Sequence, residues 1–391
     1  MLLFTILFLW CPIFGILAYA VFLGHQRKVS VKALVSLAVM LSLYLGCLGT
    51  TKELLGDFLT YKKMFEMVPD DGLWGYILSF GKEPVYYGYT YLAYYLYMGN
   101  WNLFVFSLTT LNYLLLSYCI LKVGHYLRTS FINQIMALFF MAFFFQEFAA
   151  IGNMLRQGLA QSITLAFLVR WYIDRKHSWW IALCALGVHT SCLPVLGLGL
   201  LPVLQKRFSF HTFLQLGAVL LVLVLLFFGL SGWLVYLPFV GYIFERVSNH
   251  EQLLSADAWQ TEVGLQPSMI VLMALLGAMV IYLYRPKEEK QLSPGMYVFV
   301  NLNLGLLVMM VVCNALGMYY LLMRYFFYLY AFQNILFLLF IHEQRIFRKT
   351  LVRWGFVFVM MVYFYYQFSH NIFSYIPVLE ALVNPLPLYF I

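Results

Sequence analysis

Charge is scarce in this chain. Asp, Glu, Lys and Arg together make up 10% of its 391 residues, against 63% hydrophobic and 19% aromatic, and the mean hydropathy is +0.84. Soluble domains carry about 25% charged residues, so the deficit excludes an ordinary water-soluble fold. Long polar stretches, low-complexity segments and internal repeats are also lacking, which leaves no room for a separate soluble unit. The six cysteines, at 11, 47, 119, 184, 192 and 313, lie in or beside apolar segments. They form no CxxC pair and have no histidine at zinc spacing, so they read as small core residues rather than as a metal or disulfide framework. Compact DxD clusters are missing too. Asp70 and Asp71 adjoin Gly72 in what reads as a solvated turn, which points to chemistry without a metal or other cofactor.

What is there instead is a series of apolar runs near twenty residues long, the length that crosses a bilayer as a helix. The spacing predicts an all-α polytopic membrane protein, a single transmembrane domain over residues 1–391. Spans are expected near 2–23, 33–50, 101–121, 131–148, 157–173, 212–230, 267–284, 296–317, 320–341 and 350–367, which makes about ten full crossings. The first run contains Ala18 to Ala20, "AYA", like a signal-peptidase site. It lacks a basic region ahead of it, so a retained helix is expected.

The formal net charge of +8 is distributed as a topology signal, and no nucleic-acid partner follows from it. "HQRKVSVK", "LKVGHYLR", "RWYIDRKH", "LQKRF", "YRPKEEK" and "HEQRIFRKTLVR" are compact basic loops, which the positive-inside rule assigns to the cytoplasm. They contain only four acids, Asp174, Glu288, Glu289 and Glu343. Segment 178–204 must then begin and end on the same side, although its 27 residues are too few for two crossings. Its centre, "HTSCLP", carries Pro194, which lacks a backbone donor and disfavours helix just before it. A re-entrant helical hairpin with His189 near its tip is the expectation. Two large outer loops follow from the same topology, at 51–100, with an interfacial helix, and at 231–266.

Polar residues left unexplained by loop solvation gather on the outer side. Asp57, Tyr61 and Glu83 lie in the first outer loop, Glu147, Arg156 and Gln157 between the fourth and fifth spans, His189 and Ser191 in the hairpin, and Arg324 and Tyr325 where a late span opens outward. Such a set at one face of an apolar bundle is the layout of a substrate cavity. Two arginines suit a phosphate clamp, because the guanidinium fork matches phosphate oxygens and stays charged. His189 suits proton transfer near neutrality. Taken singly, the arginines also fit interface anchors, the acids loop charges and His189 a core residue.

These residues carry a family resemblance. Asp57 to Tyr61, the block "KEPVYYGYTYLAYYL", the stretch "RQGLAQSITLAFLVRWYIDRK" followed by "ALGVHTSCLPVL", and "RYFFY" resemble the EpsG family of Wzy-type polysaccharide polymerases. Where family members often have lysine between the histidine and serine, this chain has Thr190. The resemblance implies a GT-C-like integral-membrane glycosyltransferase of O-antigen, capsule or exopolysaccharide biosynthesis, in the bacterial cytoplasmic membrane with its site facing outside. Its donor and acceptor would be undecaprenyl-diphosphate-linked oligosaccharides, with membrane lipids, a chain-length regulator and a flippase as further partners. Arg156 and Arg324 would stabilise the departing diphosphate and His189 would take the acceptor proton. Gln157, Glu83, Asp57, Tyr61, Glu147, Ser191 and Tyr325 would contact substrate, with Glu83, Glu147 and Asp57 as alternative bases. Two other classes suit a charged cavity in a helical bundle, a flippase or transporter of lipid-linked glycans and a membrane O-acyltransferase.

Overall fold

A computed structural model describes residues 2–26, 28–70, 72–80, 83–208, 267–284, 292–315, 319–344, 349–370 and 376–390, together with positions 211, 212, 215, 218 and 222. All but a few positions of the expected span at 212–230, and the whole of the outer loop at 231–266, therefore fall outside the described residues. The described chain is helical without strands: α1 (Leu2–Trp10), α2 (Pro12–His25), α3 (Val31–Thr50), α4 (Gly56–Glu66), α5 (Leu73–Phe80), α6 (Pro84–Leu96), α7 (Trp101–Tyr126), α8 (Phe131–Phe143), α9 (Phe145–Asn153), α10 (Leu155–Val169), α11 (Trp179–Val188), α12 (Cys192–Gly199), α13 (Pro267–Leu283), α14 (Pro294–Ala315), α15 (Tyr319–Glu343), α16 (Thr350–His370) and α17 (Val378–Val383). Among the described residues five helices have the length and apolarity to cross a membrane, α3, α7, α14, α15 and α16. The bent pair α8 and α9, which turns by 52°, makes a sixth if it is one span. This is a polytopic helical membrane protein.

Local signals set the helix starts. Ser30, Asn100 and Ser130 accept from the backbone N–H groups of Ala33, Leu103 and Asn133, satisfying donors that a helix leaves open at its beginning. The 26 residues of α7 extend roughly 39 Å at 1.5 Å each, more than the hydrocarbon thickness.

The apolar run 2–23 departs from the single span expected of it. It breaks at Cys11, and Phe4 of α1 lies beside Tyr19 and Phe22 of α2, so the two helices fold back on each other. Pro12 at the first position of α2 can begin a helix but cannot continue one. Gly15 permits the close return, since a Cβ there would lie 2.5 Å from the Phe8 backbone.

The chain divides into two compact units, Met1–Gly197 with Phe337–Ile391, and Leu198–Leu336. In the first, α3 packs closely on α7 through Gly46 and Gly49, whose missing side chains make room for Thr110 and Thr109. Small residues at this spacing let membrane helices approach. The α7–α10 contact is polar at its centre, where the Ser162 hydroxyl donates to Asn112 Oδ1 at 2.9 Å and both side chains are buried. Beyond Val169 the helix widens into a π-turn, Arg170–Asp174, and Asp174 pairs with Lys122 of α7 at 2.8 Å. In the second unit α14 and α15 meet where Asn303 Nδ2 donates to the Phe332 carbonyl at 3.3 Å.

Candidate functional site

Three helix ends of the first unit position the central side chains. Glu83 immediately precedes α6, with φ 63° and ψ 53°. Pro84 keeps it out of the right-handed helical region, and a left-handed conformation at a non-glycine residue is uncommon. Arg156 is the second residue of α10. His189 ends α11 in an extended conformation, after which the chain turns through Thr190 and Ser191 into α12.

These ends place three charged or titratable groups in one continuous chain. Arg156 Nη1 donates to Glu83 Oε2 at 2.5 Å, and the other carboxylate oxygen, Oε1, lies 3.1 Å from His189 Nδ1. Glu83 and His189 are both buried. The same Nη1 donates to the Tyr87 hydroxyl at 2.9 Å. Rings of Tyr61, Tyr86 and Tyr87 surround the guanidinium, their centroids 5.2, 5.8 and 5.8 Å from its carbon, within the range of cation–π attraction. Burial pushes the Tyr61 hydroxyl above its ordinary value, partly opposed by Arg156, and pushes Tyr87 up to about 12 against the same cation. Both phenols stay neutral and can donate as well as accept. The Ser191 backbone N–H approaches His189 Nδ1 at 3.2 Å.

The other residues singled out by sequence are placed as follows. Gln157 follows Arg156 and is buried. Asp57 is exposed in the first turn of α4, one turn before Tyr61 and within its electrostatic reach, so it sits at the rim. Glu147 is fully buried on α9, in electrostatic reach of Tyr113 on α7. Arg324 and Tyr325 are half-buried on α15, in the second unit.

Sequence reasoning missed Tyr86, Tyr87 and Lys52. The tyrosines were visible in "EPVYYGY" but lost in a chain with 30 tyrosines. Lys52 resembled a loop charge. It is 4% exposed, two residues past α3, and its amine donates to the carbonyls of Phe148 and Ala149 at 2.9 and 3.3 Å. It also stands 4.5 Å from the centre of the Phe148 ring, and burial pushes it down to about 7. A Cβ on Gly152 would fall 1.6 Å from its nitrogen, so that glycine provides the space it occupies.

Fold and site together define a polytopic membrane protein in which a buried histidine, a buried glutamate and a half-buried arginine are joined in series at helix ends. The EpsG family model matches residues 33–379, and the chain belongs to the EpsG family. Members of that family are Wzy-like polymerases, and membership is consistent with a membrane polysaccharide polymerase of the glycosyltransferase type. No curated protein and no solved structure matches the chain.

Proposed function

We propose that this protein is a glycosyltransferase that polymerises undecaprenyl-diphosphate-linked oligosaccharide repeats at the outer face of the cytoplasmic membrane. The observation that carries this reading is the series Arg156–Glu83–His189 in a member of the EpsG family. In the reaction, a hydroxyl of the incoming repeat attacks the anomeric carbon of the growing glycan, and the lipid diphosphate departs. The hydroxyl must lose a proton, and His189 is the group suited to take it. The leaving group carries negative charge, and Arg156 is the permanent cation of the site. Asp57 at the rim and Gln157 beside Arg156 contribute oxygen and amide groups that hydrogen-bond sugar hydroxyls. The outer location rests on the basic loops, which favour the cytoplasm.

The test is reconstitution. Purified protein given defined undecaprenyl-diphosphate repeat units yields a ladder of longer lipid-linked glycans without a nucleotide sugar or an acyl donor. Absence of the ladder with an authentic repeat unit refutes the polymerase reading. Arg156→Ala abolishes the ladder while the protein remains in the membrane; normal chain growth would reduce Arg156 to an anchor.

A further inference from the structure

His189 Nδ1 has two neighbours with opposite demands. Glu83 Oε1, at 3.1 Å, can only accept a hydrogen bond when ionised, whereas the Ser191 N–H, at 3.2 Å, can only donate one. A neutral imidazole satisfies one of them at a time. The bond to a carboxylate is charge-assisted and roughly twice as strong as one between neutral groups, so it governs where the proton sits. Glu83 is itself fully oriented, because Arg156 holds its second oxygen at 2.5 Å and the tyrosine rings wall the guanidinium. Its left-handed backbone is strained at a non-glycine residue. A glycine would relieve that strain and delete the carboxylate, and strain of this kind gathers at functional sites.

We propose that Glu83 is a positioning residue rather than a sugar ligand: anchored by Arg156, it keeps the His189 proton on Nδ1 so that Nε2 is the basic nitrogen, and it frees the charge of Arg156 for the diphosphate as the imidazolium forms. The second half follows from counting charge. At rest the guanidinium and carboxylate cancel and the imidazole is neutral. During transfer the acceptor O–H bond breaks and its proton goes to Nε2. The acceptor oxygen bonds the anomeric carbon, and the carbon–oxygen bond to the diphosphate breaks with its electron pair going to the leaving oxygen. The three residues then carry one net positive charge while negative charge builds on the diphosphate. An interaction that strengthens only along the reaction lowers the barrier without tightening ground-state binding.

This inference rests on the polymerase reading for its chemistry, while its structural half is testable alone. In Glu83→Gln, Arg156 offers donors only and so holds the amide oxygen. The amide N–H₂ then faces Nδ1, which must accept, and the ring proton moves to Nε2. Imidazole nitrogen NMR of histidine-labelled protein, with His189 assigned by loss of its signals in His189→Gln, is expected to show Nδ1 protonated in the wild type and Nε2 protonated in Glu83→Gln. A wild-type proton on Nε2 overturns the proposal whatever the activity proves to be. In the ladder assay Glu83→Gln is expected to lower kcat about a thousandfold or more with KM for the repeat unit within about threefold, and Glu83→Asp to recover part of the loss. In a His189→Ala background Glu83→Gln is expected to cost nothing further, because a residue acting through another has no effect once its partner is gone. A raised KM at unchanged kcat, or an added loss in the double variant, makes Glu83 a substrate contact and refutes the positioning role.

Discussion

Replacing Lys52 with methionine removes a buried amine that the fold holds at a measurable cost. The group has an ordinary value of 10.5 and is pushed down to about 7 by burial. The folded protein therefore releases this proton as pH rises past about 7, while the unfolded chain keeps it until about 10.5. Between those limits the unfolded state binds more protons, so stability increases with pH. The slope is about 1.4 kcal/mol per pH unit, roughly 5 kcal/mol over the whole window. Allowing for partial titration at the lower end, the wild type gains about 2 kcal/mol between pH 7 and 9 that Lys52→Met does not. Neutral lysine still has two N–H donors, matching the two carbonyls of Phe148 and Ala149, so the contact survives deprotonation. Burial is the cause of the shift, and the titration of the other ionisable groups is common to both proteins and cancels in the difference. The assay is thermal unfolding of both purified proteins in detergent across that pH range. The expected result is a gap that shifts by a few degrees in favour of the wild type as pH rises. Parallel curves would refute the reasoning, since they mean that Lys52 is solvated or paired in the folded protein.

Gly152→Ala is expected to destabilise the wild type by about 1–3 kcal/mol by overpacking against the amine and to cost little in a Lys52→Ala background; equal losses in both would show that the clash lies elsewhere. Lys206→Cys, in a background without the native cysteines, is expected to resist a membrane-impermeant thiol reagent in intact cells and to react after permeabilisation. Labelling from outside would mean that 178–204 crosses the membrane once.

Much of the fold was legible because its causes are local. Helices α3, α7, α14, α15 and α16 follow from runs long and apolar enough to span, and α3 and α7 start at Ser30 and Asn100, residues that cap by themselves. The break after His189 could be read from Pro194. Pro12 carries a similar signal, but the unbroken apolar run around it suggested one span where the chain forms a hairpin. The bend at Phe144 has no such mark; the 52° turn between α8 and α9 arises where the chain packs, with Phe145 and Phe148 beside Phe364 of α16.

The site divides along the same line. Arginine, glutamate and histidine stood out in sequence because charge is rare here, yet Glu83 looked like a sugar contact and Arg156 like an open clamp. Their pairing joins positions 73 residues apart, and His189 comes from a third helix end. Hydropathy and backbone hydrogen bonding act over one turn or one bilayer thickness, so the sequence by itself determined a helical membrane protein and which of its polar groups needed an explanation. Where those groups meet depends on how the ends of α6, α10 and α11 pack, and the burial of Lys52 depends on the space left by Gly152. Those are long-range contacts, and only the tertiary structure decided them.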